Sequence, residues 1–192
     1  MVKMDSLTEK EKGYLFGLFL GDGYAYHDKK QRHYSIEFFL NSEKDTDVVN
    51  FLRGLLLKIG TKPSFRKDKR YNSIRVRVRS KRLYEALIAQ KKSLVDSSKE
   101  FKIGFISGFI DAEGYVNPAE RMIMLINTSK KVMCLIKKYL EDLGMRVVLK
   151  KRKKSKRDRL PSYRLYVPVN FINTESNSVK VQRYKRGLQV AG

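Results

Sequence analysis

The stretch LFGLFLGDGY at positions 15–24 joins a mostly apolar run to a single carboxylate, Asp22, which lies between two glycines. The stretch ISGFIDAEGY at positions 106–115 repeats this arrangement, with Glu113 in the place of the aspartate. Apolar residues at this spacing indicate a helix, and a glycine directly after the last apolar position is typical of a helix end. Each stretch therefore predicts one helix that ends at its acid.

The two stretches belong to a repeat that covers most of the chain. Residues 6–24 align with residues 97–115 at a constant offset of 91 positions, which takes Asp22 to Glu113. Both copies open with Ser-x-x-Glu, at Ser6 and Ser97, and this pattern predicts a capping box at the start of each helix. Downstream, positions 33–60 and 122–144 each indicate a strand, a polar break and an amphipathic helix that ends in glycine.

Paired strands follow in each copy, at 62–67 and 71–80 and again at 145–153 and 162–169. The first copy adds a helix at 81–90. We therefore predict an α/β (α+β) fold of two αββαββ(α) halves, at residues 1–95 and 96–170. A polar, basic tail follows at 171–192, and we expect it to be frayed or disordered.

The balance of charge indicates the kind of partner. The chain has 42 Lys and Arg against 20 Asp and Glu, a formal net charge of +22, and such a field attracts polyanions, nucleic acid above all. No apolar run approaches the roughly 20 residues of a membrane-spanning helix, and the N-terminal residues are too polar for a signal peptide, so we expect no membrane contact. The single cysteine, Cys134, fits a reducing, cytoplasmic compartment, with an organelle left open. Its helical surroundings predict an inert buried thiol.

Glycines within the predicted helices indicate how the two copies meet. Gly13 and Gly17 lie on one helix face, and Gly104 and Gly108 do the same in the second copy. Glycine inside a helix costs about 0.5–1 kcal/mol relative to alanine. A close contact between the two helices explains these glycines better than a tolerated accident does, and parallel packing would bring the two acids together.

Two carboxylates at neighbouring helix C-termini repel each other and the helix dipoles. A divalent cation such as Mg²⁺ would relieve this repulsion, because it prefers oxygen ligands and often binds one or two carboxylates. Asp22 and Glu113 are therefore the candidate metal ligands, with the carbonyl groups of Gly21 and Ala112 as additional ligands. The alternative is that both acids are surface residues of glycine-flanked turns.

The segments LFGLFLGDG and ISGFIDAEG resemble the two copies of the LAGLIDADG motif of homing endonucleases. The chain resembles the single-chain, two-repeat members over residues 6–169. The resemblance implies pseudo-twofold-related halves, motif helices at the central interface and antiparallel sheets that form a DNA-binding saddle. It also implies a metal-dependent, staggered double-strand break in a long duplex, with Asp22 and Glu113 as the acidic metal ligands. The first copy departs from the motif at Leu20, where the second has Asp111, an acid that does not bind metal in the family.

The same resemblance and the residues together set further expectations for the site. We expect Mg²⁺ or Mn²⁺ as the cofactor and Ca²⁺ as a cation that binds without supporting cleavage. The polar residues at the matching strand ends make Lys44 and Lys130 the candidate groups around the attacking water. His27 and His33 are predicted to lie in a surface loop. We expect a monomer that binds double-stranded DNA, with RNA left open as a second partner.

The strand SIRVRVRS predicts a DNA-reading surface, since its apolar residues face one way and its arginines the other. Arginine on that face would read guanine in the major groove, contact phosphate, or simply be solvated. No acid stands near these arginines in the sequence. The basic segment at 150–157 is equally well explained as a nonspecific phosphate-gripping loop. The candidate DNA-binding residues are Arg66, Arg75, Arg77, Arg79, Lys150, Arg152, Arg164 and Tyr166.

Two other functions remain open from the sequence. One is an RNA-binding intron maturase on the same fold, and the other is a non-catalytic basic nucleic-acid-binding protein. The second explains the charge but leaves the duplicated acid motif unexplained.

Overall fold

The computed structural model describes residues 2–90, 97–117, 122–153, 159–168, 171, 174 and 176–182. The α-helices in this part of the chain are α1 (Glu9–Asp22), α2 (Thr46–Lys58), α3 (Lys81–Gln90), α4 (Lys99–Glu113) and α5 (Lys130–Asp142). The strands are β1 (Gly23–Asp28), β2 (His33–Asn41), β3 (Ser64–Asp68), β4 (Ser73–Arg79), β5 (Gly114–Asn117), β6 (Met122–Asn127), β7 (Leu149–Lys151) and β8 (Tyr163–Val167). None of these helices has the length and apolar character needed to cross a membrane.

The described strands form two antiparallel sheets with the same internal order. The first sheet runs β1-β2-β4-β3 and the second runs β5-β6-β8-β7. A long helix precedes each sheet and a shorter helix interrupts it, so the predicted αββαββ(α) halves are confirmed, with α3 added to the first half only. The boundaries at 95/96 and 170/171 stay predictions, because residues 91–96 and 169–170 lie outside the described part of the chain.

Helices α1 and α4 pack side by side in the same direction, with their backbones in contact. A Cβ atom added at Gly17 would lie 2.0 Å from the carbonyl oxygen of Phe105, and one added at Gly108 would lie 2.0 Å from that of Tyr14. The 91-residue offset of the repeat relates these two contacts, so they are reciprocal about a pseudo-twofold axis between the helices. The glycines one turn earlier make the corresponding contacts. The predicted glycine interface is confirmed.

Each sheet buries one face against the helices and leaves the other face outward. In the first sheet, Ile36, Phe38 and Leu40 of β2 are buried, and Ile74, Val76 and Val78 of β4 lie beside them. In the second sheet, β6 and β8 bury Ile123, Leu125, Leu165 and Val167. Because side chains alternate along a strand, the arginines of β4 lie on the outward face, as predicted.

The helix starts differ from the prediction by one or two residues. Thr8, not Ser6, caps α1, and it forms a capping box with Glu11. Ser98, not Ser97, caps α4, where its hydroxyl accepts a hydrogen bond from the backbone N–H of Phe101. Two residues that can cap a helix stand close together at both places, Ser6 and Thr8 in the first copy and Ser97 and Ser98 in the second. The helix ends are as predicted, at Asp22 and Glu113.

The two histidines lie in strands and not in a loop, so that prediction is wrong. His27 belongs to β1 and His33 begins β2, and both are half-buried. The ring of His27 stacks on that of Tyr34 with 4.1 Å between ring centroids. No loop separates α1 from β1, because the chain turns directly from helix into strand at Gly23.

Cys134 is exposed, so the prediction of a buried thiol is wrong. The buried stripe of α5 contains Met133, Ile136 and Leu140, which recur at helical spacing. Position 134 lies outside this stripe, although its immediate neighbours in the sequence are apolar.

The tail is ordered where it is described, which contradicts the expectation of a frayed segment. Phe171 and Val181 are fully buried, and Ser176 and Ser178 are buried as well. Residues 176–182 lie against α4, and we refer to them as the C-terminal strap. The remaining tail residues from 183 onward lie outside the described part of the chain.

Candidate metal centre and nucleic-acid interface

The two acids meet where α1 and α4 end. A Cβ atom added at Gly21 would lie 2.3 Å from the Cβ atom of Ala112 and 3.2 Å from the Cγ atom of Glu113. Asp22 is the next residue and the last of α1, as Glu113 is of α4. The backbone contact between the helices therefore brings both carboxylates to one place, as predicted, between the first strands of the two sheets.

Both acids have a raised pKa. Burial is the largest cause at Asp22, the negative charge of Glu113 adds to it, and together they raise the pKa of Asp22 to about 7. Burial also raises the pKa of Glu113. Two half-buried carboxylates, of which Glu113 opposes the ionisation of Asp22 by its charge, form a site at which a cation is favoured.

The polar groups near the two acids shift their pKa values in different directions. The side-chain amide of Asn127 donates a hydrogen bond to Oε1 of Glu113 at 2.8 Å, which lowers the pKa of Glu113 against the effect of burial. Asp45, which precedes α2, adds negative charge beside Asp22 and raises its pKa further. Sequence reasoning placed Asn127 among the polar residues at the strand ends that could line the site, and it assigned no role to Asp45, which only the loop before α2 brings here.

One lysine acts on both acids, and sequence reasoning missed it. Lys180 of the C-terminal strap lowers the pKa of Asp22 and of Glu113 through its positive charge. Its ammonium group lies 3.4 Å from the carbonyl oxygen of Gly114 and 3.9 Å from Oδ1 of Asp45. No motif marks this lysine, since it comes from a tail 67 residues beyond Glu113.

The lysines predicted for this role lie at the starts of two other helices. Lys44 precedes α2 and Lys130 begins α5, and both are exposed. Neither is among the charges that shift the pKa of the paired acids. A catalytic role for Lys44 and Lys130 stays a prediction.

The donor set at the pair fits a hard divalent cation. Helical hydrogen bonding ends at the carbonyl groups of Phe19 and Ile110, which accept from the cap glycines. The carbonyl groups of Gly21 and Ala112 therefore lie beyond the last helical bonds, next to the carboxylates. Among the residues that the structure describes, no group of three or more His, Cys, Asp or Glu side chains is arranged to hold a metal ion. A cation would thus rely on the two acids and on neutral oxygen ligands, as Mg²⁺ commonly does.

The outward face of the first sheet is basic but contains an acid. Glu37 of β2 pairs with Arg77 across the strands, and its carboxylate lies 2.9 Å from Nε of Arg77 and 3.6 Å from Nη1 of Arg75. Glu37 is only 8% exposed. The arginines have no acid near them in the sequence but do have one in the fold, because cross-strand register brings in a residue about 40 positions away.

Open grooves follow the predicted DNA-binding residues in both halves. The first, of about 830 Å³, is lined by Arg75, Arg77, Arg79 and basic residues at the start of α3. Arg66 shares this sheet face, opposite Arg75 in the strand register. In the second half, a groove of about 390 Å³ is lined by Lys150, Lys151, Arg152, Lys153, Arg164 and Tyr166. Residues 154–158, which belong to the alternative phosphate-gripping loop, lie outside the described residues.

Comparison with known proteins places this arrangement in a family. The sequence profile of the LAGLIDADG-like domain matches residues 9–95 and again residues 100–183. The chain belongs to this LAGLIDADG-like family. The second match extends through the C-terminal strap.

One relative in sequence and several solved structures are similar to this chain. Protein MJ0398 of Methanocaldococcus jannaschii is 31% identical over 145 residues, which are 74% of this chain and 52% of the relative. The chain thus spans about half the length of that protein. The structure of I-DmoI with DNA and Mn has a TM-score of 0.70 at 23% identity, covering 88% of this chain and 98% of I-DmoI. The complex of I-DmoI with DNA and Ca has a TM-score of 0.73 at 21% identity, covering 93% of this chain and 98% of I-DmoI. Full-length DUF199/WhiA from Thermatoga maritima has a TM-score of 0.63 at 16% identity, covering 96% of this chain and 61% of WhiA.

Proposed function

We propose that this LAGLIDADG-like protein is a site-specific DNA endonuclease that makes a divalent-metal-dependent, staggered double-strand break in a long duplex. The observation that supports this proposal most is the meeting of Asp22 and Glu113 at the ends of two parallel helices. The fold alone does not decide the function, because it is shared with WhiA as well as with the endonuclease I-DmoI.

Asp22 and Glu113 would hold the cation through their ionised carboxylates, with the carbonyl groups of Gly21 and Ala112 as neutral ligands. Divalent cations bound there would polarise the scissile phosphodiester and lower the pKa of an attacking water. Mg²⁺ or Mn²⁺ is the proposed cofactor. The hydrogen bond from Asn127 holds the carboxylate of Glu113 in one orientation and favours its ionised form.

The two sheets would position the duplex over these acids. Arg75 and Arg77 face outward in the first sheet, and Arg164 and Tyr166 in the second. Glu37 holds the first two guanidinium groups in place, which suits them to a defined base or phosphate contact and reduces nonspecific attraction. Because both motif copies lie in one chain, a monomer would contain the complete site.

The test begins with selection of cleaved sites from a randomised duplex library in Mg²⁺, with EDTA as the control. On the selected duplex we expect cleavage of both strands in Mg²⁺ and in Mn²⁺, and binding without cleavage in Ca²⁺. Asp22→Asn and Glu113→Gln should each reduce the single-turnover rate by about 1,000-fold, since each removes an anionic ligand of the cation that would act on the reacting phosphate.

Glu141→Gln is the matched control, because it removes a carboxylate that only pairs with Lys137 on the surface of α5. It should cleave at the parent rate. Binding of duplex without any metal-dependent cleavage would overturn the endonuclease and favour the non-catalytic alternative. Binding that prefers a structured RNA over every duplex would favour the maturase.

A further inference from the structure

The C-terminal strap is fixed to α4 by one buried acid. Asp111, which is fully buried, accepts hydrogen bonds at Oδ1 from the hydroxyl group of Ser178 at 2.7 Å and from the backbone N–H of Lys180 at 2.9 Å. Its Oδ2 accepts from the backbone N–H of Val179 at 2.7 Å and from the hydroxyl group of Tyr14 at 2.7 Å. A buried carboxylate is stable only when it is bonded in this way, and here the strap supplies three of the four donors.

Further contacts hold the strap in one conformation. The hydroxyl groups of Ser107 and Ser176 lie 2.8 Å apart and are both buried. Within the strap, Ser178 accepts from the backbone N–H of Val181, and the side chain of Gln182 donates to the carbonyl group of Ser176. The backbone of Lys180 is therefore held rigidly, and only its side chain retains freedom.

This anchoring directs Lys180 to the paired acids. Its ammonium group lies between Gly114 of the second half and Asp45 of the first, at 3.4 and 3.9 Å. Charge-assisted hydrogen bonds usually measure about 2.7–2.9 Å, so both contacts are loose. An ammonium group has three donors, and these two partners do not saturate them.

We propose that the C-terminal strap supplies Lys180 as the fixed cation of the cleavage site, where its ammonium group contacts the scissile phosphate. This proposal rests on the proposed endonuclease function and adds a third group to its chemistry. The phosphate must lie next to Asp22 and Glu113, and among the lysines that the structure describes Lys180 has a charge that reaches both of these acids. Asp111 is then a positioning residue, which acts through the strap.

The first test compares Lys180→Met with Lys137→Met, which removes the same charge from a surface ion pair on α5. Loss of one charged contact to the reacting phosphate should lower the single-turnover rate in Mg²⁺ by about 100-fold. Duplex affinity in Ca²⁺ should change by less than about threefold, because one phosphate contact contributes little to a long interface. Lys137→Met should retain the parent rate.

The second test measures Mn²⁺ binding to the DNA-free protein by electron paramagnetic resonance. Lys180→Met should bind Mn²⁺ about fivefold more tightly than the parent, because a positive charge beside the acids is gone. Lys137→Met should bind as the parent does. Unchanged or weaker Mn²⁺ binding by Lys180→Met, or cleavage within about threefold of the parent rate, overturns the proposal.

The third test asks whether Asp111 acts through Lys180. Asp111→Asn places two amide N–H groups where the strap presents donors, so it should release the strap and slow cleavage about as much as Lys180→Met. The double variant should then be no slower than either single variant. If the two rate losses multiply in the double variant, Asp111 stabilises the fold and does not act through Lys180. Lys180→Met keeps the test valid if Asp111→Asn does not fold.

The two proposals fail in different ways. If the parent protein cleaves no duplex but Lys180→Met still binds Mn²⁺ more tightly, Lys180 faces the metal site and the endonuclease function is what is wrong. If the parent cleaves and Lys180→Met cleaves equally well, the endonuclease stands and the role of Lys180 is wrong.

Discussion

The two halves contribute equivalent central helices, α1 and α4, but differ in the residues that surround these helices. The register pairs Gly23 with Phe38 in the first sheet and Gly114 with Leu125 in the second. Two residues further along these strands, the first half has Leu40 and the second has Asn127. The contact between α1 and α4 must stay symmetric, because each helix packs its glycines directly against the backbone of the other. The surroundings have no such constraint, and there the second half has acquired polar groups.

The departure of the first motif copy at Leu20 has a structural reason. Leu20 packs against the core, whereas its counterpart Asp111 holds the C-terminal strap. The first half continues after β4 into α3, and the second half has the strap in its tail instead. The acid at position 111 is therefore needed only where a strap must be bonded.

The largest expected effect would come from breaking the symmetric contact. Gly17→Ala and Gly108→Ala would each place a Cβ atom 2.0 Å from a carbonyl oxygen of the other helix, so the helices must separate. We expect each to lower the free energy of unfolding by about 3 kcal/mol or more. Urea denaturation would measure this loss.

Gly54→Ala is the matched control, because Gly54 lies on the exposed side of α2 with no heavy atom within 4 Å of an added Cβ. It should stabilise the protein by about 0.4–1 kcal/mol. Equal effects at the three glycines would contradict the close backbone contact.

Replacing Asn127 with leucine would make the second half resemble the first at this position. Glu113 would lose its hydrogen bond, and its pKa would rise further because only the charge of Lys180 would then offset the effect of burial. The proposed reaction requires ionised Glu113, so the acid limb of its pH–rate profile should move to higher pH. At neutral pH the rate should fall about tenfold, which corresponds to one hydrogen bond to a charged group. Asn50→Leu on the exposed face of α2 should leave the profile unchanged.

The unequal pKa values of the two acids predict unequal effects on stability. The pKa of Asp22 is about 7 in the folded chain against an ordinary value of 3.8. The folded state therefore loses stability as the pH rises from about 4 to about 7, and Asp22→Asn removes this loss. In EDTA at pH 8, Asp22→Asn should raise the melting temperature by roughly 10 °C, and Glu113→Gln by less.

At pH 4 the difference between Asp22→Asn and the parent should disappear, because the parent acid is then largely protonated. A shift of the same size at both pH values would mean that the substitution acts by packing and not by charge.

The smallest expected effect concerns the outward faces of the sheets. Glu37 of the first half corresponds to Met124 of the second, since they pair with Tyr24 and Tyr115 respectively. Glu37→Met should free two arginines, so the slope of log affinity against log salt on random duplex should become steeper by about 1 to 2. Met124→Glu should make the slope shallower. Fluorescence anisotropy over a salt series would measure both, and unchanged slopes would contradict the role of Glu37.

The features that the sequence predicts correctly depend on local patterns that occur twice. The helices, their ends at Asp22 and Glu113, and the glycine contact all follow from residues three or four positions apart. Glu37 could not be found in this way, because its partners become neighbours only through the strand register. Lys180 was missed for the same reason, since its position depends on a buried acid about 70 residues earlier. Cys134 shows that apolar neighbours do not establish burial when the helix face is unknown.

The glycine contact between α1 and α4 has a consequence for the products of the proposed reaction. Side chains adapt to temperature and to a changed ligand, but two touching backbones have no rotamers to exchange. The distance between the two acids is therefore set by the main chain itself. If the acids define where each strand is cut, the overhang should have the same length on every target that the protein accepts, however poorly the sheets fit that target.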